Sequence, residues 1–485
     1  MENTKVETEK VELLDNLSKD VVLDISGFKL CSYLVALEGW RRGLKLTWYK
    51  DETELCKLDR MNSSTQGKFF SLSSKNQEHY FFRSRGDEVS NRSVRICQNK
   101  EKTKATLNKK NVPIPIGEVF DTNNDEKILS YAKEVGFPIV AKPLKGSMGK
   151  GVYTNIQNED ELKEVLIDLK SLNNYPEYII EKYYPGKEYR IYVVGNKVVG
   201  ATNRIPANVI GDGEKTIKKL IEDKNEARKG NPYLAPKPIK VDYEVVSCMK
   251  RVGYDVNSVP KSGEQVFLRE KSNLSSGGDP IEATDELSKD IRQMAVDALK
   301  ALPSIPHAGV DIIVDPTSND QGVVLEVNAT AEIGFHLYPW SGKARDVPEA
   351  IISYYFPETE KVQKSSFYFD YHSVIEPLKS WASDEVTVAR PPSSKIYGRK
   401  FVVSGKIQKV DYLAWIKRQA LRKNLHGSAR YVDGGEVEIR ILSNNEKDVS
   451  EFIDTCYKGS KKSEVKKVNQ YNIDLSESFK IGFTI

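Results

Sequence analysis

The chain has 485 residues, more than one hydrophobic core accommodates, so two to four folding units are expected. Hydrophobic residues at 39% and charged residues at 29% exclude a disordered or membrane-embedded chain. A net charge of only +4, with Lys and Arg interleaved with Asp and Glu, gives no reason to expect a nucleic-acid or membrane partner.

Residues 1–18 read as a flexible leader that lacks the apolar stretch of a secretory signal. No window approaches a membrane span, so a cytoplasmic location is expected. Cys31, Cys56, Cys97, Cys248 and Cys456 are scattered and odd in number, which favours neither a disulfide framework nor a thiolate zinc site. The run Val21 to Ser26 predicts a buried strand closed by Gly27. Leu30, Leu34, Leu37 and Leu44 next to Trp40 predict a helix, followed by a second strand over Leu44 to Tyr49. This β-α-β step, repeated less clearly as far as Val94-Arg95-Ile96, predicts a small α/β domain over 19–98.

The charged run from Asn99 to Lys110 is helical in propensity and is stopped by Val112-Pro113-Ile114-Pro115. A helix over Asp125 to Val135 precedes an apolar strand ending at Lys142, and a further strand, Tyr178-Ile179-Ile180, ends at Glu181. Ile191 to Val194 and Lys197 to Gly200 form a hairpin around Gly195-Asn196, with later strands at Asp311 to Val314 and Val323 to Val327. Residues 358–394 have the composition of a linker. Beyond it, 395–485 read β-α-β-β-α-β, the order of a ferredoxin-like sandwich.

Three segments carry chemistry. Lys142 to Gly151 is rich in glycine and lysine, and such a loop lets backbone amides approach an anion while ammonium groups neutralise it. Taken alone it is also what a glycine-rich turn between two strands looks like. Glu181 to Glu188 offers an apolar wall, a hinge backbone and a second carboxylate, which suit a nucleoside, although solvated charges on a turn account for it equally. Asp311, Glu326 and Asn328 are oxygen donors on neighbouring strands. Alternation puts Glu326 and Asn328 on one face, so the three together suit a hard cation.

Asn99-Lys100, Lys142 with its glycine loop, the segment 181–188 and the set Asp311, Glu326 and Asn328 come in the order that resembles the ATP-grasp superfamily. More narrowly, Arg204-Ile205-Pro206-Ala207-Asn208 to Gly213 and Leu268-Arg269 followed by Ser272 to Gly278 look like the ATP-grasp module of cyanophycin synthetase and of bifunctional glutathione synthetases. The resemblance implies a pre-ATP-grasp α/β domain over 19–98 and an ATP-grasp fold over 99–357. It also implies an ATP- and Mg²⁺-dependent ligase that joins a carboxylate to an amine through an acyl phosphate. Lys100 and Lys142 would contact the phosphates, and Gly146, Ser147, Met148, Gly149 and Gly151 would close over them. Glu181, Lys182, Tyr183, Tyr184 and Glu188 would line the adenosine pocket, and Asp311, Glu326 and Asn328 would hold Mg²⁺. Arg204 would face the transferred phosphate or the tetrahedral intermediate, and Asn273, Ser276 and Gly278 would lie near the acyl end. His336 and Arg345 are candidates for substrate contacts. The implied partners are small amino-acid or peptide substrates. Relatives of this kind commonly assemble, so a homo-oligomer is compatible with the resemblance. One departure concerns the segment after Asn328, where Ala329 to Gly334 stands in place of the Pro-Gly pair usual in the relatives, which puts the acceptor end in question.

Residues 397 to about 475 are similar to acylphosphatase, giving an acylphosphatase-like domain over 395–485. Leu413 fills the position of that family's catalytic arginine, Tyr431 that of its asparagine, and Lys409 and Asp411 replace loop glycines. An inactive domain is expected. The readings weighed against a ligase are an acylphosphatase with rearranged residues and a nucleotide-sensing protein with a vestigial site.

Overall fold

A computed structural model describes residues 11–51, 53–61, 63–144, 151–171, 175–318, 320–392 and 395–485. Helix Gly27–Arg41 buries Leu30, Leu34, Leu37 and Trp40, as their spacing predicts. It packs on a five-stranded antiparallel sheet ordered Glu385–Thr387, Lys45–Tyr49, Phe69–Ser73, Glu78–Phe82, Arg85–Gly86. The expected β-α-β step is therefore corrected to a helix followed by an antiparallel meander. Val21 and Val22 are buried from a 3-10 turn, Lys19–Val22, because a short apolar run can bury itself from any backbone. Val94-Arg95-Ile96 belongs to helix Asn91–Cys97, started by the Ser90 hydroxyl, which accepts from the Ser93 amide.

The stretch read as a linker, 358–394, contributes a strand and a helix to this unit. Thr387 pairs with Thr47 at the sheet edge, their hydroxyls 3.0 Å apart, and helix Tyr371–Lys379 places Tyr371 and Ile375 in the same core. Of the expected leader, residues 1–10 lie outside the described residues. Leu17 is buried and Glu12 bridges to Lys343.

Two further sheets follow. A four-stranded antiparallel sheet is ordered Gly117–Asp121, Glu177–Lys182, Ile139–Pro143, Tyr153–Ile156, and its core includes Ile128 and Ala132 of helix Asp125–Val135 and Leu162 and Leu166 of helix Glu159–Ser171. The central sheet is ordered Asp279–Glu282, Lys197–Ile205, Lys187–Val194, His307–Val314, Gly322–Asn328, with all neighbours antiparallel. Alternation divides it into two faces. Ile191, Val193, Ala201, Val310 and Ile312 share a core with Ile291, Ala295 and Leu299 of helix Lys289–Lys300. The opposite face carries Glu188, Arg190, Thr202, Arg204, Asp311 and Glu326. Residues 206–278 form an insertion whose small core holds Ala207, Val209, Ile217, Val245 and Leu268.

The C-terminal sheet is ordered Glu464–Asn472, Tyr397–Lys406, Val437–Ser443, His426–Tyr431, Phe483–Thr484, with helix Tyr412–Arg422 on it; the first four strands have the ferredoxin-like arrangement expected. The second expected helix is two short ones, Glu446–Ser450 and Phe452–Lys458. This unit docks on the N-terminal one through the parallel pair Phe367–Tyr368 with Phe479–Lys480 and an ion pair of Lys480 with Asp370 at 2.7 Å.

Candidate active site

The polar face of the central sheet carries a row of facing residues, Thr202, Arg190, Asp311 and Glu326, one from each of four adjacent strands. Arg190 donates to both carboxylate oxygens of Asp311, one bond at 2.8 Å, and stands 3.7 Å from Glu326. Arg204 pairs with Glu188 and, at 2.9 Å, with Asp311. Gly309 makes room for Arg190, since a Cβ there would lie 2.9 Å from its Cδ and 2.8 Å from the Ala331 methyl. Burial alone would raise the Asp311 carboxyl, but Arg190 and Arg204 reverse this and hold it ionised, below the usual carboxylate range. The buried Nε of Arg204 has no hydrogen-bond partner among the described residues, leaving one donor of the fork unspent.

Asn328 donates to Glu326 at 2.9 Å, so the three residues expected to hold a cation converge. Their donors are all oxygens, which suits a hard divalent ion. Glu326 and Asn328 are partly exposed, whereas Asp311 is buried and bound by two guanidiniums, so it can serve a metal only by giving one of them up.

On the smaller sheet Glu181, 2% exposed, is clamped between Lys142 at 2.7 Å and Lys104. Burial acts to raise its carboxyl, and the two ammonium groups outweigh that and lower it. Burial lowers the Lys100 ammonium; Glu326, Lys142 and Glu181 all act on its charge. Lys100 thus stands between the cationic edge of one sheet and the carboxylates of the other. Glu181 lies in this ion cluster, not on an open nucleoside wall. The amides of Lys182 and Tyr183 donate to the carbonyls of Ile116 and Pro138, so neither is available to an adenine. Tyr183 and Tyr184 are half-buried, and Glu188 is held by Arg204. Gly146, Ser147, Met148 and Gly149 lie outside the described residues; Gly151 has φ +69°.

The second long motif folds beside Arg204. Arg204 faces Pro280, and Gly278 packs where a Cβ would lie 2.8 Å from the Ile205 carbonyl. The Asn273 side chain accepts from the Ser275 amide at 3.0 Å, and the Ser276 hydroxyl donates to the Asn273 carbonyl. Buried Asp279 anchors the insertion through Lys224 at 2.6 Å, Arg228 at 2.8 Å and Asn208 at 3.0 Å. His336 is buried 3.1 Å from the Thr202 hydroxyl; burial, aided by Arg190, lowers its pKa to about 3. Its ring is therefore neutral, and its Nε2 has no hydrogen-bond partner among the described residues. Arg345 is spent on Glu282 at 2.9 Å and Asp285 at 2.6 Å.

Arg190 and Lys104 are absent from the residues singled out in the sequence. Arg190 follows Glu188 by two on a strand and therefore shares its face, and Lys104 lies one helical turn beyond Lys100, so both were open to a periodicity argument.

In the C-terminal unit Lys409 and Asp411 have φ +55° and +59°, the left-handed backbone that glycine would supply. Asp411 pairs with Arg418 at 2.9 Å. The Tyr431 hydroxyl donates to the Ile407 carbonyl at 3.3 Å, and Leu413 packs on the domain core.

Residues 97–226 match the family model of the RimK-like ATP-grasp domain, and residues 399–485 match that of acylphosphatase. The chain is 34% identical over 272 residues to the cyanophycin synthetase of Geminocystis herdmanii, a stretch covering 55% of this chain and 31% of that protein. It is 34% identical over 270 residues to the glutathione biosynthesis bifunctional protein of Clostridium perfringens, covering 54% and 34%. The chain thus spans about a third of the length of these curated relatives. Among solved structures, the bifunctional glutathione synthetase from Pasteurella multocida aligns at 26% identity and TM-score 0.46, over 64% of this chain and 41% of that one. The family-model matches and the curated relatives bear out both resemblances read in the sequence.

Proposed function

We propose that this chain is an ATP-dependent carboxylate-amine ligase that forms an amide or peptide bond through an acyl phosphate, releasing ADP and phosphate. The observation that carries this reading is Lys100, which lies within electrostatic reach of Lys142 and Glu181 on one sheet and of Glu326 on the other. A polyphosphate between the sheets would meet ammonium groups from one side and metal-binding oxygens from the other. The similarity to cyanophycin synthetase and to the glutathione biosynthesis protein supports the same reading.

Phosphoryl transfer asks a protein for positioning and charge neutralisation more than for covalent chemistry. Lys100 and Lys142 would neutralise the phosphates, with Lys104 holding Glu181 so that Lys142 stays extended. Arg204, with an unspent Nε donor, would bind the transferred phosphate, and Arg190 would keep it in line. As phosphate oxygens take over a guanidinium, Asp311 would be released to join Glu326 and Asn328 in holding Mg²⁺. The bound ion would offset charge on the phosphate oxygens. Tyr183, Tyr184 and Glu188 would border the nucleoside, and Asn273, Ser276 and Gly278 the acyl end.

The substrates would be amino acids or short peptides. The C-terminal unit is proposed to be catalytically inactive, because Tyr431 spans the cradle and Leu413 lies where a guanidinium would be required. The test is a screen of amino acids and dipeptides, singly and in pairs, for ADP release with mass detection of the joined product. ADP release that needs both a carboxylate and an amine supports a ligase. Nucleotide binding without turnover for any pair counts against it.

A further inference from the structure

At the seam between the N-terminal sheet and the segment that follows Asn328, the cation Arg83 lacks a counter-ion among the described residues. Arg83 is 6% exposed, yet no carboxylate lies within ion-pair distance of its guanidinium among the described residues. It donates to the Ser63 hydroxyl at 2.6 Å, its Nε has no hydrogen-bond partner among the described residues, and its Cζ lies 3.7 Å from the centre of the Phe28 ring. Arg85, two residues along, shows the difference. It is fully buried as well, but its guanidinium donates to the Val89 and Asp59 carbonyls and to Asn91, as a structural arginine should.

Arg83 has a second cation beside it. The Arg83 amide donates to the Lys68 carbonyl at 2.8 Å; Lys68 is half-buried, and the charge of Arg83 adds to the burial that lowers its ammonium. Two like charges set together away from water are costly unless an anion joins them. The carboxylates within electrostatic reach are committed elsewhere, Glu332 to Tyr233 at 2.6 Å and Lys237 at 3.3 Å, and Asp51 to Ser64 and Thr65. Arg83 lies over Phe28 in the first turn of helix Gly27–Arg41, and Lys29 of the same turn adds its positive charge to that felt by Lys68. That turn has no acidic residue, and the Ser26 side chain does not cap it, so its amides add positive potential.

The position relates this cluster to the proposed active site. Ser84 donates to the Ala331 carbonyl at 2.7 Å, and the Ile333 amide donates to Cys31 Sγ at 3.4 Å, three to five residues beyond Asn328. We propose that Arg83, Lys68 and the first turn of helix Gly27–Arg41 form a carboxylate-binding site for the amino-acid or peptide substrate. It holds a carboxylate other than the one that is activated. This rests on the ligase reading for its substrate, but not for the anion site itself. An acceptor amino acid keeps its own carboxylate, and an acidic donor has one to spare, so either substrate can supply the group.

Thermal unfolding of the full chain, wild type and Arg83→Gln, with succinate, phosphate or chloride at matched ionic strength, tests the site without turnover. Succinate should raise the wild-type Tm by several degrees over chloride and should leave Arg83→Gln unmoved. Without added anion, Arg83→Gln and Lys68→Gln should melt at or above wild type, because a like-charge repulsion is removed. A drop of several degrees in both variants, with no succinate effect on wild type, would make these cations structural. Stabilisation by phosphate and not by succinate overturns the carboxylate assignment. With a substrate pair found in the screen, Arg83→Gln should raise KM for the amino-acid substrate at least tenfold in ADP release while KM for ATP stays unchanged; a change confined to ATP overturns the placement. Succinate stabilisation that is lost in Arg83→Gln, in a protein that turns over no substrate pair, retains the anion site and removes the ligase reading.

Discussion

The polar face of the central sheet and loop 406–411 of the C-terminal unit handle charge in opposite ways. On the central sheet no strand residue of the cluster needs a left-handed backbone and the side chains carry the charge, with Arg190, Arg204, Asp311 and Glu326 converging from four strands. In the loop the backbone carries the special shape, with Lys409 and Asp411 at positive φ, and the Asp411 carboxylate, paired with Arg418 at 2.9 Å, stands in it. On the proposal that the C-terminal unit is inactive, its fold outlasts its chemistry, and function has to be argued from the site and not from the fold.

The sharpest test of that contrast is Asp311→Asn. It leaves two buried guanidiniums without their carboxylate and should destabilise the protein by about 3–5 kcal/mol, the range for breaking a buried ion pair. Denaturant unfolding at neutral pH measures this. The Asp311 carboxyl is lowered in the folded state, so its stabilisation is present above the unfolded value of about 4 and fades as pH falls through the folded one. The gap between wild type and Asp311→Asn should accordingly narrow below about pH 4. A gap that widens in acid contradicts the ion-pair account.

Glu326→Ala should be gentler on the fold and severe on turnover. Glu326 is partly exposed and has a weak ion pair at 3.7 Å, so far-UV circular dichroism and Tm should change little. ADP release should fall about 10²–10³-fold, the usual cost of losing one charge-stabilising group. Activity within twofold of wild type removes Glu326 from the site.

In the C-terminal unit the expected effects are small. Leu413→Arg should not bring hydrolysis of benzoyl phosphate by the full chain above the buffer rate, since Tyr431 still bonds the Ile407 carbonyl and Asp411 remains in the loop. Lys409→Gly should stabilise by at most about 1 kcal/mol, by relieving left-handed backbone in a lysine, with no gain in hydrolysis. Robust hydrolysis by either variant would make the two regions equivalent after all.

The parts of the molecule legible in the sequence are those where periodicity extends over a full element. Helix Gly27–Arg41, the hairpin of Lys187–Val194 with Lys197–Ile205 and the ferredoxin-like order were all accessible in this way. Short apolar runs were misread, because Val21 and Val22 bury equally well from a 3-10 turn, and β-branched Val94 and Ile96 follow a serine cap that starts a helix. The three-residue strand Glu385–Thr387 gave no alternation to detect; its pairing with Lys45–Tyr49 is a tertiary fact. At the candidate site, residue types in order singled out Lys142, Glu326 and Asn328, which the fold places in the two ionic clusters described above. The role of Lys104 was hidden in a charged run, and the competition of Arg190 for Asp311 depends on strand register, which only the folded sheet fixes.

The central claim is that the substrate carboxylate attacks the γ-phosphate of ATP. Once the screen yields a substrate pair, the carboxylate substrate is labelled with ¹⁸O in both oxygens and turned over with ATP, and the released phosphate is analysed by mass spectrometry. An acyl phosphate requires one ¹⁸O per inorganic phosphate, with ADP as the nucleotide product. Label in AMP, or unlabelled phosphate alongside product, would contradict the account.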